Sequence, residues 1–267
     1  MFIPSKRIGI VAGGGLLPKR LLGYCEQHDL NPFVVAFEGQ ADEELVAGFD
    51  HVVMRLGEAG KIIRLLKERG ISDLIMIGSI HRPSARDLRP DLYTAAFFAK
   101  MGFKAMGDDS LLTAIRHDLE RQGFTIHGIH EIIPEVLTRK GLIAGPAPND
   151  LQQRQIEIGI AAARSLGEAD VGQGVVVAMD GSIIEEDKKG TDALLRRAAS
   201  NGAVLVKMCK PQQDRKLDLP TIGSNTVKLC AELGYAGIAS EAGLTLTADE
   251  DVMRELANQT GIFVVGV

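Results

Sequence analysis

Four short, largely apolar runs at residues 8–12, 33–37, 52–56 and 74–80 limit the fold of this 267-residue chain more than any other feature. Runs of that length suit strands buried on both faces of a sheet. Between them, residues 17–28 and 61–69 set apolar side chains at helical spacing. A chain that alternates strand and helix in this way builds a parallel sheet through right-handed crossovers. The expectation is a Rossmann-like N-terminal domain over residues 1–142.

Helical patterning continues at 92–101 and 111–121, interrupted by 102–110, and residues 125–133 resume strand character up to Pro134. Residues 141–150 contain Gly145, Pro146 and Pro148 and end in Asn149-Asp150, a pair suited to capping a helix, so the hinge is expected there. Beyond it, strands at 174–179, 204–208 and 262–265 mix with helices at 151–166, 192–199, 225–233 and 250–258. Asp180-Gly181 reads as a hairpin turn. The predicted fold class is α/β: the Rossmann-like parallel sheet domain, a second α/β domain over 143–267, and a ligand cleft between them.

At 45% hydrophobic the chain can bury a substantial core, and its net charge of -5 comes from interspersed signs. No overall basic field exists to draw nucleic acid, so no nucleic-acid partner is expected. Cys25, Cys209 and Cys230 form an odd set without CxxC spacing, which argues against a disulfide framework or structural zinc and for a reducing compartment. Without a signal-peptide pattern or an apolar run of membrane-spanning length, the protein is expected to be soluble and cytoplasmic. The six histidines show no zinc spacing, and no GxSxG occurs.

The loop Ala12-Gly13-Gly14-Gly15 follows the first strand and precedes Pro18, which fits a first helical turn. It reads either as a loop that lets backbone approach a phosphate or as a tight turn. Its spacing is not GxGxxG, and no acid is evident at the end of the second strand to hold a ribose, so a dinucleotide fingerprint is incomplete. In Gly57-Glu58-Ala59-Gly60-Lys61, Arg55 stands where a P-loop needs its first glycine, which excludes that motif. The end of the fourth run, Gly78-Ser79-Ile80-His81-Arg82-Pro83, makes Ser79 and Arg82 ligand contacts or merely closes a strand. Gly107-Asp108-Asp109-Ser110 caps a helix or holds a hard cation. Phe97, Phe98, Met101, Phe103 and Met106 form core or meet an acyl chain. Residues 185–189 read as a solvated charge cluster.

Phosphate chemistry is suggested most strongly by Lys207-Met208-Cys209-Lys210-Pro211 and Asp218-Leu219-Pro220-Thr221-Ile222-Gly223, two cations and a carboxylate beside a helix start. Gly190-Thr191-Asp192 opens another helix. A helix dipole alone adds only about 0.3–1 kcal/mol for an anion, so lysines or a metal must supply the rest. A strand through both Lys207 and Lys210 would turn only one of them into a cleft. Pro220 biases Leu219 towards extended backbone, which leaves Asp218 in a loop.

In order along the chain these motifs, with Gly172-Gln173-Gly174, Ala236-Gly237-Ile238 and Glu241-Ala242-Gly243, resemble the LpxI family of UDP-2,3-diacylglucosamine pyrophosphatases of lipid A assembly. The resemblance spans nearly the whole length and departs at Ser79, where Asn is expected, and around Ser224-Asn225. It implies Mg²⁺-dependent hydrolysis of a UDP-linked diacylated glucosamine to UMP and 2,3-diacylglucosamine 1-phosphate. Also implied are a homodimer and, for a lipid substrate, transient contact with the inner membrane surface. On this reading Asp218 and Lys207 are catalytic, Gly14, Gly15, Ser79, Ile80, Thr191, Asp192 and Lys210 bind substrate, and Asp218 and Asp192 meet the metal. A nucleotide-dependent oxidoreductase and a noncatalytic nucleotide-sugar or lipid binder are the competing classes.

Overall fold

A computed structural model describes residues 7–81, 88–101 and 108–267, the side chains of Asp108 and Asp109 excepted. Arg82, Pro83, Phe103, Met106 and Gly107, all singled out in the sequence, lie outside them. The chain forms two compact units, Met1–Pro134 with Lys216–Asp218, and Glu135–Arg215 with Leu219–Val267.

In the first unit the elements follow in the order β1 (Ile8–Ala12), α1 (Leu16–Gln27), β2 (Phe33–Phe37), α2 (Glu43–Val46), β3 (Asp50–Met54), α3 (Ala59–Glu68) and β4 (Asp73–Ile77). Then come α4 (Leu92–Met101), α5 (Asp108–Arg121), β5 (Thr125–His127) and α6 (Ile129–Ile132). The sheet is parallel, in the order β3-β2-β1-β4-β5. Ile10 pairs with Val34 on one side and Ile75 on the other. Phe33, Val35, Leu66, Leu74 and Ile126 are buried together on one face, and each such side chain contributes about 1.5–3 kcal/mol by leaving water.

Three expected strands end early, and β3, which starts two residues before its apolar run, stops at Met54 and leaves Arg55 and Leu56 outside it. β4 stops at Ile77 because Gly78 turns left-handed (φ 101) and Ser79 crosses to Gly14. The strand expected over 125–133 is cut at His127, where Glu131 reaches back to accept the Gly128 N–H at 3.0 Å and starts α6. His127 therefore ends β5 and His130 lies on α6.

The second unit contains β6 (Gly141–Ala144), α7 (Asp150–Glu168), β7 (Gly174–Val177), β8 (Ile183–Glu185), α8 (Gly190–Arg197) and β9 (Val204–Lys207). It continues with β10 (Thr221–Ile222), α9 (Ser224–Glu232), β11 (Gly237–Ser240), β12 (Leu246–Thr247), α10 (Glu250–Thr260) and β13 (Phe263–Gly266). The main sheet runs β6-β13-β11-β9-β7-β8, with parallel strands β13, β11 and β9 at its centre and antiparallel pairs outside; β10 and β12 pair separately. Part of the expected hinge is thus strand β6, whose Leu142 pairs with Val265.

Alternation along β9 divides the core between two faces. Val204 and Val206 pack with Ala163 and Leu166 of α7, whereas Leu205 packs with Leu194, Val227 and Met253 of the three helices opposite. The start of α7 is secured as its sequence suggests. Asn149 accepts the Gln152 N–H at 2.9 Å, and Gln152 accepts the Asn149 N–H at 2.8 Å.

Candidate active site

At the carboxyl edge of the central strands of the second unit, Lys207 of β9 stands in register with Ser240 of β11. Residues paired in this way project to the same face of a sheet. Lys207 is only 4% exposed, and its Nζ donates to the Thr221 carbonyl at 3.1 Å. Ser240 is fully buried, and its Oγ has no hydrogen-bond partner among the described residues. A hydroxyl in that condition costs about 1–3 kcal/mol unless a water or ligand oxygen satisfies it.

From Lys207 a run of hydrogen bonds leads to Thr191. The Met208 N–H donates to the Gln173 carbonyl at 2.9 Å, and the Gln173 N–H donates to Glu186 Oε2 at 2.9 Å. Glu186 Oε1 accepts the Thr191 hydroxyl at 2.7 Å. Gly172-Gln173-Gly174 is therefore the link between the lysine and the start of α8, on whose first turn Asp192 is exposed. This corrects the reading of residues 185–189 as a solvated cluster. Glu186 is 5% exposed and holds two segments together, while Asp187 meets Arg197 at 2.6 Å outside.

The helix start beside Lys207–Gly223, expected to be open to a phosphate, is filled by the protein. At the beginning of α9, Asp249 accepts the Ser224 N–H at 2.8 Å and also the Ser224 hydroxyl. Lys210 lies beyond the end of β9, and its Nζ pairs with Asp170 at 3.1 Å. It borders a cavity of about 250 Å³ together with Arg164, Cys209, Arg215 and Glu241, the last accepting the Cys209 N–H at 2.9 Å. The strand does not run through both lysines.

In the first unit Gly14, Gly15, Ser79 and Ile80 gather where β1 and β4 end. Gly14 and Ser79 exchange backbone hydrogen bonds, N–H to carbonyl, of 2.9 and 2.8 Å. A Cβ on Gly13 would lie 2.4 Å from the Ser79 carbonyl oxygen and 2.8 Å from Ile80 Cδ1. What these glycines permit is the close crossing of two backbone segments. The crossing sits at the point where the strand order reverses, the usual ligand position of such sheets.

The corner at Gly57–Lys61 is structural. A Cβ on Gly57 would fall 1.9 Å from the Leu88 carbonyl oxygen, and Asp91 accepts N–H groups from both Lys61 and Thr94. Glu58 accepts the Arg55 N–H and guanidinium and the Lys61 ammonium, at 3.1, 3.0 and 2.6 Å. These bonds, Arg55's first, hold its carboxyl down to about 2. Asp218 is half-buried in a stretch that is neither helix nor strand, as Pro220 suggested. Two residues before it, the Lys216 Nζ donates to the Ile126 carbonyl at 2.7 Å.

Comparison with known proteins connects these features. The LpxI N-terminal domain matches residues 7–136 and the LpxI C-terminal domain residues 139–265. The UDP-2,3-diacylglucosamine pyrophosphatase LpxI of Caulobacter vibrioides is 34% identical over 98% of each chain. The chain belongs to the LpxI family.

Two solved structures resemble this LpxI-family chain distantly. N5-carboxyaminoimidazole ribonucleotide synthetase from Thermotoga maritima is 15% identical, with a TM-score of 0.24 over 74% of this chain and 44% of that one. Biotin carboxylase from Campylobacter jejuni is 14% identical, with a TM-score of 0.23 over 72% and 42%. Neither likeness is close enough to carry functional weight.

Three residues of this LpxI-family chain escaped sequence reasoning. Glu186 and Ser240 carry no local signal, since their burial depends on segments remote in sequence. Glu38 had one: it is the residue directly after β2, so a carboxylate does stand at the end of the second strand. Among the described residues no group of three or more His, Cys, Asp or Glu side chains is placed to hold a metal ion.

Proposed function

We propose that this protein hydrolyses the diphosphate of UDP-2,3-diacylglucosamine, giving UMP and 2,3-diacylglucosamine 1-phosphate, a step of lipid A biosynthesis. The observation that carries the reading is identity of 34% over nearly the full length to a relative of that name. In support, the buried Lys207 ammonium is bonded to the run that contains Asp218-Leu219-Pro220-Thr221.

In the reaction, water adds to one phosphorus, the bridging P–O bond breaks, and the proton of the attacking water must be removed as charge grows on the phosphate oxygens. Asp218 takes that proton or orients the group that does. Lys207 compensates the developing charge, and the Thr191 hydroxyl, oriented by Glu186, keeps its oxygen lone pairs for a ligand donor. Such catalysis is chiefly positioning and electrostatics.

Magnesium is commonly held by one or two carboxylates with substrate phosphate oxygens and water. Single carboxylates such as Asp218 and Asp192 fit a Mg²⁺ that arrives with the diphosphate, and do not form a resident cage. The ion would neutralise phosphate charge. With this reading go a cytoplasmic homodimer and transient contact with the membrane that supplies a diacylated substrate. Among the described residues no helix is long and apolar enough to cross a membrane.

The test is UMP release from UDP-2,3-diacylglucosamine with Mg²⁺, in wild type, Asp218→Ala and Asp218→Asn. Wild type should release UMP, and Asp218→Ala should lose at least about 10²-fold in turnover while still binding substrate. A raised Mg²⁺ requirement in Asp218→Asn identifies a ligand role, and an unchanged one a proton-accepting role. Near-normal turnover of Asp218→Ala would remove this residue from the mechanism, and substrate retained without UMP by wild type would leave only a binding protein.

A further inference from the structure

Unit one contains a second feature that the hydrolytic reading leaves unused. A cavity of about 380 Å³ opens at the carboxyl ends of β2 and β3, bordered by Glu38, Gln40, Arg55, Leu56, Leu88 and Arg89. This volume lies within the range of about 300–1,000 Å³ typical of small-molecule sites. The Glu38 N–H donates to the Met54 carbonyl at 2.9 Å, which fixes the mouth between the two strands. Gln40 gives and takes hydrogen bonds with the His81 backbone, at 3.2 and 2.8 Å, so the cavity adjoins the Gly14–Ser79 crossing. Arg89 holds a left-handed backbone (φ 40), an uncommon conformation for a long side chain and one that recurs at ligand sites.

The lining sets three demands on a ligand. Glu38 calls for hydroxyl donors, and as the residue after β2 it stands where parallel sheets of this strand order read the hydroxyls of a ribose. Arg55 and Arg89 call for an acceptor-rich or anionic group; Arg55 already meets Glu58 at 3.0 Å and feels the charge of Glu38. Leu56 and Leu88 offer apolar contact to a flat ring. A ribonucleotide satisfies all three, whereas a fatty acyl chain satisfies only the last.

We propose that this cavity is a ribonucleotide subsite, with Glu38 accepting from the ribose hydroxyls, the two arginines meeting phosphate or base carbonyl oxygens, and the leucines covering the base. That the occupant is the uridylyl half of the diphosphate rests on the function proposed above; the nucleotide site itself does not.

The experiment is calorimetric titration of the full chain with UMP and with 2′,3′-dideoxy-UMP, in wild type and Glu38→Gln. UMP binds wild type, and either removing the hydroxyls or making Glu38→Gln weakens it about 10-fold, the scale of one charge-assisted hydrogen bond. Both changes together weaken binding no further than either alone, because they delete the same contact. Glu38→Gln keeps its thermal midpoint, as an exposed isosteric change should. No UMP uptake by wild type at millimolar concentration, equal binding of the dideoxy ligand, or undiminished binding by Glu38→Gln would each overturn the subsite. Measuring UMP release separately keeps the two readings apart. Glu38-dependent binding without hydrolysis removes only the hydrolase, and hydrolysis without Glu38 dependence removes only the subsite.

Discussion

The ammonium of Lys207 donates to the carbonyl oxygen of Thr221 at 3.1 Å. One bond thereby ties the end of β9 to the run that follows Asp218, and the lysine it holds is itself almost fully buried. Burying a charge is costly unless it is paired or used.

Lys207→Met keeps most of the stem and removes the charge. Turnover should fall about 10²-fold or more, as when one preorganised electrostatic group is lost. Steady-state kinetics alongside a thermal melt decide the matter. A folded variant within a few-fold of wild-type kcat would make Lys207 purely structural.

Ser240→Ala removes a buried hydroxyl that has no partner among the described residues. Deleting an unsatisfied polar atom relieves its desolvation cost, so stability should match or exceed that of wild type. Urea unfolding measures this, and a loss of more than about 1 kcal/mol would show that a firmly held water bonds the hydroxyl.

Gly78→Ala should be among the costliest glycine changes in the first unit. Its φ of 101 disfavours any side chain, and the new Cβ would lie 2.7 Å from the Gly14 carbonyl oxygen. A destabilisation of about 1–3 kcal/mol is expected from strain and overpacking. Equilibrium unfolding at the wild-type midpoint would show an unchanged transition if the crossing can yield.

Glu58 should couple stability to acid. Its folded carboxyl sits at about 2 against an ordinary 4.5, held there by Arg55 and Lys61. A depressed carboxylate contributes stability that is fully present above the unfolded value and is lost as pH falls towards the folded one. Glu58→Gln should therefore melt lower than wild type at pH 6, and the gap should close between about pH 4.5 and 2. A gap independent of pH across that window would show that the side chain acts by shape alone.

β1 and β2 were readable because a strand buried on both faces must be apolar throughout, whereas β3, at the sheet edge, opens on the exposed Asp50 and His51 and so starts before its apolar run. β1 and β2 agree with the sequence reading residue for residue. Local capping chemistry was equally plain at Asn149. β6, β10, β11 and β12 were not visible: β10 and β12 are two residues long, and β6 and β11 each set a single Ile among small residues and Leu, whereas the equally short β7, β9 and β13 each hold two or three valines. At the site, Lys207, Thr191, Asp192 and Asp218 were singled out by residue type and by resemblance. Their neighbours Glu186 and Ser240 resemble any surface acid or strand serine until burial is known.

The sequence by itself determined the α/β class, the parallel first sheet and the family, because periodicity and ordered motifs depend on residues close together along the chain. Tertiary structure alone decided which polar groups are already used. Asp249 occupies the start of α9, Glu186 holds Thr191, and Thr221 takes the Lys207 ammonium. Hydrogen-bond partners act within about 3 Å and can come from segments far apart in sequence, so only the folded chain reveals what remains for a ligand.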